Sequence, residues 1–80
     1  MTLWEQELAL VESAALRIEA IEQAAERRFD QVFADAEARG RRELALQGPE
    51  FKEWVAARAD TDVAWGRWAQ VMHARPEQAA

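Results

Sequence analysis

Apolar side chains recur along the first half of the chain with the spacing of one helical face. From Leu3 to Arg39 the sequence contains neither glycine nor proline, and strong helix formers dominate it. Five apolar residues follow one another in steps of four and three: Trp4, Leu8, Val11, Ala15 and Ile18. This spacing is a heptad seam, the pattern by which helices pack side by side in coiled coils. The pattern predicts a long helix with an apolar stripe.

The seam loses its regular spacing at Glu22, where the next apolar residue is due. The stripe can be resumed from Ile21, and the altered spacing then resembles a local hendecad, which unwinds a left-handed supercoil. Further apolar residues flank the stripe: Leu3, Leu10, Leu16 and Phe33. The apolar face is therefore wide, which favours packing against more than one neighbour.

Capping signals set the ends of this helix. Thr2 is an expected N-cap, and Glu5 follows at the capping-box position. Gly40 is the first point at which the helix can end, but the chain can also remain helical up to the Gly-Pro pair at 48–49, where it must stop. We assign the long helix to about residues 3–46.

Two shorter helices are predicted in the second half, over about residues 49–59 and 62–74. The segment Asp60-Thr61-Asp62 between them is typical of a break followed by an N-cap. Pro76 ends the last helix, and residues 76–80 are expected to form a disordered tail. No segment alternates with the period of a strand. The sequence therefore predicts one all-α domain, in which a long helix and two short ones form a hairpin or small bundle.

The predicted helices differ in length, and this difference points to a partner. Even if it ends at Arg39, the long helix has about 37 residues and is about 55 Å long, more than two short helices folding back separately can cover. Since a large apolar patch exposed to water marks an interaction site, we expect oligomerisation or a foreign partner to complete the bundle. The expected interface residues lie along the stripe: Trp4, Leu8, Val11, Ile18, Phe29, Val32 and Phe33. The four tryptophans fill either a core that is otherwise mostly alanine or part of this interface.

Acidic residues recur beside the seam every seven positions: Glu5, Glu12, Glu19 and Glu26. They form either a solvated face or an acidic ridge that is complementary to a basic partner. In a parallel zipper Glu7 would face Glu12 of the other copy, so the charges do not specify a simple homodimeric coiled coil. The net charge of −5 disfavours non-specific binding to DNA or to anionic membranes.

One basic cluster keeps a nucleic-acid function open: Arg39, Arg41 and Arg42. Against this function, Asp60 and Asp62 precede the last helix, and acidic residues there would repel phosphates at the end by which recognition helices contact DNA. We therefore regard nucleic acid as the less favoured partner.

Residues that carry catalysis are scarce. The chain has no cysteine, and its single histidine, His73, falls near the predicted end of the last helix, where a cation complements the helix dipole. Neither a metal-ligand pattern nor a glycine-rich phosphate loop is present. The sequence predicts no enzyme, no cofactor and no metal. The N-terminus lacks the features of a signal peptide and no apolar run is long enough for a membrane span, so a cytoplasmic location is expected.

Together these features predict a small acidic protein–protein interaction module, either a homodimer or a subunit or adaptor of a larger complex. The excess of alanine and arginine over lysine indicates a GC-rich bacterial or phage genome. Two alternatives remain. One is a phage or mobile-element inhibitor that binds a host nucleic-acid enzyme through the acidic ridge. The other is a DNA-associated regulator that uses the arginine cluster.

Overall fold

Three α-helices make up the described part of the chain, residues 1–76 of a computed structural model. Helix α1 spans Leu3–Ala38, α2 spans Arg42–Gln47 and α3 spans Pro49–His73. Helix α3 runs back antiparallel along α1, so the chain forms a helical hairpin with α2 at its closed end. The hairpin measures 65 × 17 × 16 Å. The predicted all-α fold is confirmed. The predicted tail at 76–80 lies, apart from Pro76, outside the described residues.

The N-terminus of α1 is capped as the sequence predicts. The Glu5 backbone N–H donates to the Thr2 hydroxyl over 3.1 Å, and the Thr2 backbone N–H donates to the Glu5 carboxylate over 3.2 Å. This reciprocal pair is a capping box, which satisfies two backbone donors that helix formation leaves without partners.

Helix α1 ends at Ala38, so the assignment of one helix to residues 3–46 was wrong. Gly40 adopts a φ of 70°, the left-handed conformation that glycine reaches without strain. The Arg41 N–H then donates to the Ala36 carbonyl over 2.8 Å, and the Gly40 N–H donates to the Glu37 carbonyl over 2.9 Å. These two bonds define a Schellman motif. Helix α2 follows as a separate short element that packs against the last turns of α1.

Helix α3 is one continuous helix, so the two short helices at 49–59 and 62–74 were also a wrong prediction. The segment at 60–62 does not break it. The Thr61 hydroxyl donates back to the Ala57 carbonyl over 3.1 Å, and Asp62 pairs with Arg58 one turn earlier over 3.6 Å. Side chains that favour a cap are thus satisfied inside the helix, because packing against α1 outweighs their local preference.

The seam of α1 continues through Glu22 and is not resumed from Ile21. Glu22 is buried, whereas the Ile21 side chain is exposed. The heptad register is therefore kept, and the carboxylate occupies a core position opposite Arg58 of α3, at 3.8 Å. A charge can occupy this position because it pairs with Arg58, whose side chain is largely exposed to solvent.

Small side chains dominate the interface between the helices. Most buried residues are alanines, joined by a few larger or polar side chains: Ala15, Ala25, Ala45, Ala57, Ala64, Phe29, Val71, Glu22 and Thr61. Phe29 is the centre of an aromatic cluster near the closed end. Its ring lies 5.3 Å from those of both Phe51 and Trp54 and 5.8 Å from that of Phe33. This cluster joins α1 to α3 through aromatic rings.

The expected length mismatch is absent. Helix α3 reaches Trp4, whose indole N–H donates to the Val71 carbonyl over 2.7 Å, and at its other end it contacts Phe29. Helix α2 covers the remaining turns of α1. One face of α1 is therefore covered along its whole length, and it is the two flanks of the hairpin that remain open to solvent.

Candidate functional site

Of the six large apolar side chains within residues 1–76 that are more than half exposed, four lie on one flank of the hairpin. Leu3, Leu10 and Ile21 project from α1 with exposures of 84%, 72% and 61%, and Val63 projects from α3 with 56%. Ile21 and Val63 line the same shallow groove between the two helices. Three alanines extend this surface: Ala14 and Ala24 on α1 and Ala56 on α3. We call these seven residues the apolar flank.

The heptad register explains why these residues share a side. Trp4, Val11 and Ile18 lie in the seam at intervals of seven residues. The residue immediately before each of them and the residue four positions before it lie on the same side of α1. Leu3 and Leu10 are separated by seven residues, as are Ala14 and Ile21. The signal was visible in the sequence, where Leu3 and Leu10 lie beside the stripe, but it did not reveal which side of the helix would be left uncovered.

Charged residues frame the apolar flank. Arg28 and Glu53 form a salt bridge of 3.7 Å across the hairpin. Asp60 and Arg67 line the groove beside Val63, and neither has a salt bridge within residues 1–76. Charged groups beside an apolar surface favour one orientation of a bound partner, because other orientations bring like charges together.

The predicted interface residues lie mainly between α1 and α3 of the same chain. Phe29 is buried, and Trp4, Leu8, Val11, Ile18, Val32 and Phe33 are half-buried. Trp4 is fixed by its hydrogen bond to α3 and by the Arg75 guanidinium, 5.4 Å from the ring centroid. Apart from Met1, the most exposed large apolar residues within residues 1–76 are members of the apolar flank: Leu3, Leu10, Ile21 and Val63.

The opposite flank is acidic along α1. Glu5, Glu12, Glu19 and Glu26 follow the seam on its other side, and Glu19 and Glu26 are half-buried there. Glu5 is engaged in the capping box. On α3 this flank carries a groove lined by Phe51, Trp54, Val55 and Arg58. The acidic row is thus interleaved with aromatic and basic groups of the same chain.

The arginine cluster lies at the closed end of the hairpin. Arg39, Arg41 and Arg42 are all exposed, and Arg39 pairs with Asp35 over 3.5 Å. Arg39 and Arg41 line an open cleft of about 410 Å³ together with Asp35 and Glu50. Because carboxylates share this cleft with the guanidinium groups, the positive potential that would attract phosphate is reduced.

Other chemistry is sparse in the described residues. No group of three or more His, Asp or Glu side chains within residues 1–76 is arranged to hold a metal ion. His73 is exposed in the last turn of α3. The indole N–H groups of Trp54 and Trp68 are buried without an acceptor from the described residues. Within this same range no helix has the length and apolarity of a membrane span.

Comparison with known proteins identifies no relative of this chain. No protein-family model matches the chain, and neither the curated proteins nor the solved structures contain a significant match. The fold and surface define it as an antiparallel helical hairpin with one apolar and one acidic flank.

Proposed function

We propose that this protein is a non-enzymatic interaction module whose apolar flank is covered by a protein partner. The observation that carries the proposal is the amount of apolar surface exposed by a hairpin only two helices thick. Leu3, Leu10, Ile21 and Val63 are each more than half exposed. Monomeric proteins seldom leave such residues together on one face.

The shape of the chain supports the same conclusion. Its radius of gyration is 18.2 Å, whereas a compact domain of this length has about 12 Å. The accessible surface is 6239 Å², whereas a compact monomer of this mass exposes about 4,900 Å². The excess is of the same order as the roughly 800 Å² that each partner buries in a standard interface. A partner packed on the flank would complete a three- or four-helix bundle.

The test compares charged substitutions at two exposed apolar residues on different sides of α1. Ile21→Glu places a carboxylate in the apolar flank, and Leu16→Glu is the matched control on the other side. Light scattering on a sizing column measures self-association across concentrations, and affinity capture from a host extract measures foreign partners. We expect Ile21→Glu, but not Leu16→Glu, to abolish the complex. A protein that neither self-associates nor binds anything in an Ile21-dependent manner would contradict the proposal.

Charge variants separate the two alternative functions. An inhibitor acting through the acidic ridge would lose its partner on Glu12→Lys and retain it on Ile21→Glu. A DNA-associated regulator would show salt-dependent DNA binding that weakens on Arg41→Ala and Arg42→Ala. The pairing of Arg39 with Asp35 makes the latter outcome the less expected of the two.

A further inference from the structure

We infer that the partner is a second copy of this chain, packed antiparallel on the apolar flank so that two hairpins form a four-helix bundle. The inference rests on the proposed function and specifies which partner covers the apolar flank. It requires the flank to be self-complementary about a twofold axis, because each residue then meets a defined residue of the other copy.

The register of the hairpin ties the position of this axis on α1 to its position on α3. On the apolar flank, residues that face each other across one chain have numbers that add to 81, as those of the salt-bridged Arg28 and Glu53 do. Pairing Asp60 of one copy with Arg67 of the other sets the axis on α3 between residues 63 and 64, and the register then sets it on α1 between residues 17 and 18. In this arrangement α1 packs on α1 of the other copy, and α3 packs on α3.

Side-chain sizes are complementary about this axis. Ile21 of one copy lies opposite Ala14 of the other, and Leu10 lies opposite the alanine pair Ala24 and Ala25. Val63 meets the other Val63 near the axis, with Ala56 further along the same face of α3. Large residues facing small ones allow two layers to interdigitate without voids, as in well-packed helical cores.

The charges are complementary in the same register. Asp60 lies opposite Arg67, and by symmetry this pair occurs twice. Both side chains line the groove and lack a salt bridge within residues 1–76, so they are available to the other copy. Arg28 faces Glu7. One pairing is unfavourable, because the axis brings the two copies of Arg17 near each other.

A charge swap tests this register. Asp60→Arg alone and Arg67→Asp alone each place like charges opposite one another, so we expect the dimer dissociation constant to rise about tenfold or more. The double variant restores opposite charges, and its affinity should return to within about threefold of the original. Asp30→Arg, an exposed charge reversal outside the flank, is the matched control. Helicity from circular dichroism separates loss of association from loss of folding.

Sedimentation equilibrium distinguishes the outcomes. We expect a mass of about 18 kDa, twice the 9.1 kDa of the chain. If the single variants and the double variant all weaken the dimer to the same extent, the proposed register is wrong. If the chain stays monomeric at millimolar concentration, a second copy does not cover the apolar flank. The proposed function would still stand if a foreign partner were lost on Ile21→Glu.

Two further variants give independent readouts. Arg17→Ala removes the one repulsive pair, so it should tighten the dimer, and a weaker dimer would count against this axis. Since the chain has no cysteine, Val63→Cys introduces a single thiol near the axis. Mild oxidation should link it to its copy, whereas Leu10→Cys, opposite Ala24 and Ala25, should not crosslink. The reverse result would place the axis elsewhere.

Discussion

The Glu22 carboxylate lies 3.8 Å from the Arg58 guanidinium, and it is buried in the seam between α1 and α3 whereas Arg58 is largely exposed. Arg58 also pairs with Asp62 over 3.6 Å. The pair thus links a core position of one helix to the edge of the other. It fixes the register of the hairpin by charge where the other buried residues are mostly alanines, which specify register weakly.

Substitutions at the two members of this pair should change the stability of the protein in opposite directions. Glu22→Leu restores an apolar seam residue, so we expect the free energy of unfolding to rise by about 1 kcal/mol. Arg58→Ala leaves a buried carboxylate without its partner and should lower it by about 1 kcal/mol, since water still reaches the pair at its edge. Chemical denaturation measures both changes. Arg39→Ala, at the exposed pair with Asp35, is the control and should change stability by less than about 0.5 kcal/mol.

The two exposed glycines should respond in opposite directions to alanine. Gly66 lies within α3 with open space where a Cβ would stand, so Gly66→Ala should stabilise the protein by up to about 1 kcal/mol. Gly40 also has open space, but its φ of 70° is unfavourable for any residue with a Cβ. Gly40→Ala should therefore destabilise by about 1 kcal/mol. Thermal unfolding compares them, and equal shifts would contradict the Schellman turn.

The aromatic cluster should dominate stability at the closed end. Phe29 is buried against Phe51 and Trp54, so Phe29→Ala should cost about 3–5 kcal/mol. For a domain of this size, that loss is comparable with the whole stability expected, and the chain should be largely unfolded by circular dichroism. Val55→Ala, at an exposed residue nearby, should change stability by less than about 0.5 kcal/mol. Native helicity in the Phe29 variant would contradict the packing described.

The hydrogen bond that holds the open end of the hairpin should also be measurable. Trp4→Phe keeps an aromatic ring but removes the donor to the Val71 carbonyl, 2.7 Å away. We expect a loss of about 1 kcal/mol. Amide hydrogen exchange should show faster exchange in the last turns of α3 and little change near Phe29. Uniform acceleration along α3 would argue against a local role for this bond.

The sequence by itself determined the helical class, the capped start of α1 and the stop before Pro49. These features depend on local chemistry: helix propensity, the Thr2–Glu5 capping box and the lack of an N–H on proline. Gly40 was also visible as a possible end for α1, but the sequence equally allowed a helix up to the Gly-Pro pair at 48–49, and the assignment to residues 3–46 was wrong.

Only the tertiary structure decided whether the segment around Thr61 breaks a helix and whether Glu22 occupies the seam. In both cases packing along α1 overrides a local preference, since a continuous α3 buries more surface than two separate pieces. The same packing decided the exposed surface. The heptad pattern placed Trp4, Ile18 and Phe29 on one apolar stripe, but a stripe does not state whether its own chain covers it. Because α3 folds onto that stripe, the apolar residues left in water are those of the flank beside it.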